Sequence, residues 1–546
     1  MDTMSTGRSG PGFGRRDLWV VVAALLCFCL IAVTIELQAE EDAFIYYRYA
    51  WNWAHGDGLA FNAGDPVEGF SGPLWMGVLA VVARLGFDLP ATAPVLGIFC
   101  GAAALLATWW LARAAGLSRF GRLATTAALA LSYPFIVWSR SGLETPLYSL
   151  AIIIAAGGYL AAEYPLREGL RAPRWPGAVA ALAAIFVCLG RPEGLLLVAL
   201  MAADRVTDRR DYAGAVRYAL PAMLGYGGYL VWRFHTFHSL VPNTSVKMYP
   251  LLIGRSASQF LGYVLFLGAL PLALPVLALL DSRRPRLERR RLGFLFAAVC
   301  LLSFFFNFAA GGDYRPGFRY LIPTLPLLLV AVWYAFELLA DGGGKRPRLL
   351  ASTLARGVLL ALLLSGSMVL LWQNPPRLQG WRQRVFQIWR EPFSETPHWG
   401  VQIAFWLDAH APQDSVVAFG QMGRVPYFLA RKGHRVTFID TLGLVDRPIS
   451  KIYRFDTKLA SLWRDLAAGK SPAQALEAGR RERADRVAES ILGRHPDLIL
   501  IETALDEYQM MRALSENPEF KTAYRKIAEL PPGAPPYVRI YARGPG

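Results

Sequence analysis

The sequence predicts a polytopic α-helical membrane protein of about eleven transmembrane helices, followed by a C-terminal soluble α/β domain. Three observations lead there. Hydrophobic residues make up 54% of the 546 residues, and the mean hydropathy is +0.31, with the apolar residues gathered in long runs. Arginine-rich loops alternate with loops short of Lys and Arg, as the positive-inside rule requires of a chain that crosses a bilayer repeatedly. From about Gln373 onward the long runs stop and short strand patterns take over.

The net charge of +16 would in a soluble protein suggest a nucleic-acid partner. Here much of the excess sits in short loops between apolar runs, so membrane lipids are the expected partners and no nucleic acid is. Cys27, Cys29, Cys100, Cys188 and Cys300 all fall inside apolar runs, with neither disulfide nor zinc spacing.

Taken in order, Arg15 and Arg16 precede the apolar run 18–35. No small-residue cleavage site follows, which predicts an uncleaved first helix with a cytoplasmic N-terminus. The stretch 41–75 opens on Glu41 and Asp42 and continues through Phe44, Tyr46, Tyr47, Tyr49, Trp51 and Trp53. Such rings settle at a membrane–water boundary. A turn-rich segment with Asp57, Asn62, Asp65 and Glu68 comes next. Residues 74–87 are too short to cross and contain Arg84, so they are expected along the interface, and 36–90 form an outer loop.

The remaining apolar runs lie near 91–112, 123–138, 146–162, 176–190, 194–203, 213–232, 257–280, 292–310, 320–340 and 350–372. Alternate loops between them carry Arg113, Arg119 and Arg122, then Arg167, Arg171 and Arg174, then Arg205, Arg209 and Arg210, then RRPRLERRR (283–291) and KRPR (345–348). These face the cytoplasm, which puts the tail outside. The domain division is therefore 1–372, transmembrane, and 373–546, a soluble α/β domain. In the tail, 416–419, 436–439 and 498–501 read as buried strands, with helix-compatible segments near 399–410, 422–432, 458–491 and 505–515. GQMGR (420–424) lacks the glycine spacing of a dinucleotide fingerprint.

The unusual polar clusters all fall in the loops assigned to the outside. They are Glu41, Asp42 and Glu68; Arg140 and Glu144; Arg191 and Glu193; Arg233, His235, His238, Asn243 and Lys247; and Asp313, Arg315 and Arg319. Charges at a bilayer edge are costly unless solvated or paired, so their recurrence on one side predicts a shared polar cavity. Arg and Lys suit a phosphate or pyrophosphate, and a carboxylate can take a proton from an attacking hydroxyl. The bland alternatives are loop ion pairs for Arg140–Glu144 and Arg191–Glu193, and interfacial histidines at 235 and 238, which lack a third metal ligand nearby.

The motifs EDAFIYYRYA…GDGLAFN.GDPVEGFSGPLW, SGLETPLY, RPEG, LVPNTSVK, GGDYRPGFRYLIPTLPLL and VTFIDTLGLVDRPIS occur in this order. Together they resemble the GT-C superfamily of polyprenyl-phosphate-sugar glycosyltransferases, and most of all its actinobacterial terminal arabinofuranosyltransferase group. The resemblance implies a GT-C-like helical core in a bacterial plasma membrane, a periplasmic active site, a polyprenyl-phosphate sugar donor and a cell-envelope glycan or lipid acceptor. It carries the family's paired acids to Glu41 and Asp42, its Gly-Leu-Glu motif to Glu144 and its Gly-Gly-Asp motif to Asp313. The family shows two aspartates in the first loop where this chain has Glu41, which leaves open which acid is the base. Asp42 is favoured as catalytic base or metal-poising acid, with Glu41 in support and a divalent cation left open as cofactor. Arg191, Lys247, Arg315 and Arg319 are the candidates for the leaving phosphate, and Glu68, Glu193, His235 and Asn243 complete the expected substrate contacts. The sugar expected is a pentofuranose such as arabinofuranose. A glycolipid flippase and a non-catalytic envelope scaffold are the alternatives from other classes.

Overall fold

The computed structural model describes residues 15–35, 39–167, 173–247, 253–312, 318–340, 353–373, 399–502, 509–530 and 538–544. The helical part begins with α1 (Arg15–Thr34), α2 (Glu41–His55), α3 (Pro73–Arg84), α4 (Leu89–Ala114), α5 (Arg119–Ala130), α6 (Tyr133–Arg140) and α7 (Thr145–Arg167). It continues through α8 (Trp175–Gly190), α9 (Gly194–Arg209), α10 (Tyr212–Phe237), α11 (Ile253–Leu267), α12 (Ala269–Leu280) and α13 (Arg286–Val299). After α13 a π-helical stretch, Cys300–Phe305, leads into α14 (Phe306–Ala310), and α15 (Leu325–Ala340) and α16 (Thr353–Gln373) follow.

Local chemistry sets the boundaries. Asp88, Ser118 and Asp211 each accept a backbone N–H of the first turn of α4, α5 and α10, which satisfies donors that a helix start leaves open. Gly56 closes α2 in the left-handed region (φ 95°), its N–H turned back to Asn52 and Trp53. α5 and α6 meet at 55°, and α11 and α12 at 93°. The second bend is at Gly268, whose φ of 86° a side chain would strain.

Among the described residues, six helices are long and apolar enough to cross a membrane, or eight if each bent pair is one span. The expected count of about eleven is not confirmed among these residues. α8 and α9 have 16 residues each, about 24 Å of helix against a hydrocarbon core of about 30 Å. α10 is longer but carries Arg217 and Arg233. Residues 74–87, expected at the interface, form the short helix α3. The span Ile322–Ala340 is 89% buried and Thr353–Trp372 only 17%, so α15 runs through the middle of the bundle while α16 lies on its rim.

The two classes of loop separate to opposite ends. At one end Arg119 pairs with Asp17 (2.5 Å), Arg290 with Asp204 (2.7 Å), and Arg205 with both Glu163 and Asp211. The Ser118 N–H donates to Glu337 (2.9 Å). These partners come from the start of α1, α5, α10 and α13 and the end of α7, α9 and α15, so the arginine-rich loops share that end. The expected polar loops occupy the other. Arg171 and KRPR (345–348) lie outside the described residues.

The tail begins with α17 (Trp399–His410) and β1 (Ser415–Phe419), then α18 (Arg424–Arg431), β2 (Val436–Asp440), α19 (Arg447–Tyr453), α20 (Phe455–Ala467) and α21 (Pro472–Leu492). β3 (Leu498–Glu502), α22 (Met510–Glu516), α23 (Pro518–Ala523), β4 (Tyr524–Leu530) and β5 (Val538–Arg543) complete it. The sheet order is β2-β1-β3-β5-β4. β1 pairs in parallel with β2 (Val417 opposite Phe438) and with β3 (Val417 opposite Leu498), while β5 runs antiparallel to β3 and β4. The expected β–α–β unit is thus present, with α18 as its crossover. The single helix-compatible segment expected over 458–491 is divided by a break before Ser471, whose side chain forms a capping box with Gln474.

Candidate active site

α2 places Glu41 and Asp42 on its first turn, and consecutive helical residues point about 100° apart. The two acids therefore part company. Asp42 lines a cavity of about 220 Å³ together with Tyr46, Glu144, Arg191, Glu193, Arg319 and Tyr320. Its Oδ2 accepts from Arg319 Nη1 at 3.0 Å. Glu41 does not line this cavity. Its Oε1 accepts the backbone N–H of Arg424 (2.8 Å) and its Oε2 accepts from the Arg424 guanidinium (2.5 Å), so it faces the tail rather than supporting Asp42 from the side.

The cavity's charged lining is paired. Arg191 extends from the C-terminal end of α8 and donates through Nε (3.0 Å) and Nη2 (2.8 Å) to Glu144 Oε1, while Nη1 lies 3.4 Å from Glu193 Oε1. All three side chains are at most 6% exposed. The Arg191 guanidinium lies near the rings of Tyr148 (5.8 Å) and Tyr320 (5.5 Å), and that of Arg319 near Tyr320 (5.3 Å) and Trp138 (5.9 Å). Cations held against aromatic faces keep their orientation at a small cost in hydration. Burial opposes ionisation of Glu144, but Arg191 and Arg319 outweigh it and hold its pKa below the usual carboxylate value. Glu193 goes the other way: burial raises its pKa, Arg191 offsets only part of that, and neighbouring Glu144 adds to it. Two nearby carboxylates are thus driven apart in acidity, an arrangement able to hold one proton beside a fixed negative charge.

Other expected residues fall elsewhere. Glu68 is buried away from the cavity lining, accepting from Tyr229 and from Arg233 Nε (2.5 Å). Burial raises its pKa in spite of Arg233. The Asn243 N–H donates to the Glu68 carbonyl (3.1 Å), and the adjoining Thr244 and Ser245, not Asn243, reach the cavity. His235 and His238 are exposed at the end of α10. Asp313 and Arg315, and the side chain of Lys247, lie outside the described residues. Among the described residues no group of three or more His, Cys, Asp or Glu side chains is arranged to hold a metal ion. Sequence reasoning missed Tyr46 and Tyr320 as lining residues. It read the rings of α2 as a boundary belt, yet Tyr46 is 5% exposed and its hydroxyl accepts the Gly72 N–H at 3.0 Å.

The tail sits directly on this region. Arg48 Nη1 donates to Pro426 O (3.1 Å), and Asn62 exchanges two hydrogen bonds with the Phe438 backbone (2.8 and 3.0 Å). Arg447 donates to Pro66 O (2.8 Å) and Phe237 O (3.0 Å). Asp440 accepts the N–H groups of Leu442 and Val445 (both 2.9 Å), which folds the 441–445 turn against Gly69. A Cβ built on Gly69 would come 2.4 Å from Val445 Cγ1. Burial, only partly offset by these N–H groups, pushes the Asp440 carboxyl up to about 7.

Residues 387–541 match the model of a domain of unknown function (DUF8728), and no curated protein matches the sequence. Solved structures share the fold. ArnT from Cupriavidus metallidurans bound to undecaprenyl phosphate aligns over 98% of this chain and 100% of its own, with TM-score 0.52 and 14% identity. The arabinofuranosyltransferase AftD from Mycobacteria aligns over 98% of this chain at TM-score 0.53 and 16% identity. This chain spans only 42% of AftD's length. The oligosaccharyltransferase AglB from Archaeoglobus fulgidus, in complex with an inhibitory peptide and a dolichol-phosphate, aligns over 98% of this chain and 75% of its own at TM-score 0.51 and 10% identity. The chain shares the fold of these three proteins, and its several long apolar helices suit a multi-pass membrane protein.

Proposed function

We propose that this GT-C-fold chain is a membrane glycosyltransferase that moves a sugar from a polyprenyl-phosphate donor to a cell-envelope glycan or lipid acceptor. The sugar we infer is a pentofuranose such as arabinofuranose, and the face we assign to the site is the periplasmic one. The observation that carries the reading is the convergence of Asp42, Glu144, Arg191, Glu193 and Arg319, from four separated stretches of the chain, on one cavity.

Each residue then has a task. Asp42 takes the proton of the attacking acceptor hydroxyl, and Arg319 fixes the carboxylate that does so. Arg191 and Arg319 face the phosphate as its negative charge grows on leaving, and their fixed orientation against Tyr148, Trp138 and Tyr320 spares reorganisation at that moment. Glu144 and Glu193 hold Arg191 in place. The test is turnover by purified protein in nanodiscs against a panel of polyprenyl-phosphate sugars. Asp42→Asn keeps the side-chain shape and an acceptor for Arg319, and is expected to lower kcat at least about 100-fold while folded protein is still recovered, melting somewhat lower for want of the ion pair with Arg319. Full activity in that variant, or no transfer from any donor by the wild type, would sink the assignment.

A further inference from the structure

The GQMGR loop between β1 and α18 has no part in the chemistry above, yet it touches the helix that carries Asp42. Gly423 packs so closely on α2 that a Cβ built there would lie 2.2 Å from Glu41 O and 2.4 Å from Glu41 Oε1. Only glycine permits that approach. The next residue, Arg424, is 6% exposed. It grips the start of α2 through three residues, Ala39, Glu41 and Phe44. Its N–H and guanidinium both bond the Glu41 carboxylate (2.8 and 2.5 Å), its Nη2 donates to Ala39 O (2.5 Å), and its guanidinium lies 4.6 Å from the Phe44 ring centre. Glu41 in turn acts on the tail, because it accepts an N–H that the start of α18 leaves without an intrahelical partner.

We propose that Gly423 and Arg424 are positioning residues for the transfer reaction: by clasping Glu41 they fix the start of α2, and so the place of Asp42 against Arg319. Seating of the tail is thereby coupled to turnover. In its kinetic arm the inference rests on the transferase reading; its structural arm stands alone. The geometry explains why the chain has glutamate at 41. The carboxylate must reach out of the membrane part to the tail, and the longer side chain does so while Asp42 stays at the cavity.

The experiment uses the full-length protein in nanodiscs, with the donor found in the panel above and undecaprenyl phosphate as the binding probe. Hydrogen–deuterium exchange is followed over residues 39–46. Arg424→Gln and Glu41→Gln, the second nearly isosteric, are each expected to lower kcat about 10- to 100-fold, the loss that a displacement of ~1 Å brings. Donor KM and undecaprenyl phosphate affinity should stay within about threefold. Both variants should speed exchange at the start of α2. The double variant should lose no more than the worse single one, because both break the same contact, and Arg424→Lys should recover part of the rate. Unchanged exchange at α2 in both single variants, additive losses, or a loss carried by KM would each overturn the proposal. If the wild type transfers no sugar, the transferase reading falls, and the exchange arm alone decides whether the clasp exists.

Discussion

Replacing Arg191 by methionine isolates the energetics of the cavity. Methionine fills much of the arginine stem but offers no donor, so the bonds at 2.8 and 3.0 Å to Glu144 and the 3.4 Å contact with Glu193 are lost. Two carboxylates with side chains 5% and 4% exposed then lose the cation they share, and only Arg319 still acts on Glu144. Removing one partner of a buried ion pair costs about 3–5 kcal/mol. The sign with pH follows from linkage. Burial already raises the folded-state pKa of Glu193, and without Arg191 it is no longer offset there and is offset at Glu144 only by Arg319, so the native state is expected to bind more protons than the unfolded one above the ordinary value of about 4.3. The penalty is then full above the raised pKa values and shrinks as pH falls through them. Thermal melting of the full chain between pH 5 and 8 reads this directly. Arg191→Met should melt well below the wild type at pH 8 and close much of the gap at pH 5, and Arg191→Met/Glu144→Gln should recover part of the loss at pH 8. Equal melting of Arg191→Met and wild type, or a gap of the same size at both pH values, would refute the reasoning.

Gly69→Ala would drive a Cβ into Val445 and Leu444 O. It should cost about 1–3 kcal/mol by overpacking, seen as easier proteolytic release of the tail. Asp440, with its carboxyl pushed up to about 7, holds more protons folded than unfolded between about pH 4 and 7. Stability should therefore fall by about 1.4 kcal/mol per unit as pH rises through that window. Melting scans should show this slope, and it should disappear in Asp440→Asn.

Charge placement made the ends of the bundle legible in the sequence. The arginine-rich loops and the polar motifs do sort to opposite ends, because the cost of burying charge acts on short loops one at a time. Convergence of Asp42, Glu144, Arg191, Glu193 and Arg319 was legible for the same reason. The direction in which Glu41 points was not, because its partner Arg424 lies 383 positions away and adjacent acids look alike in a linear pattern. Glu68 pairs with Arg233 across 165 positions, another tertiary fact with no local signature. β4 escaped notice because its sequence YRKIAEL has a single buried residue and three charged ones, and an edge strand of that kind shows little alternation. The number of crossings was less legible, because α8 and α9 have 16 residues each, about 24 Å of helix against a hydrocarbon core of about 30 Å.

α15 has a consequence for how the molecule is made. Its walls, among them α4, α5, α7, α12 and α13, are all translated before it, so an open furrow must await it while the ribosome is still at work. The centre of the bundle is therefore filled late, from a segment that comes after the walls around it, and α16, which rides on the rim, can be added only from outside.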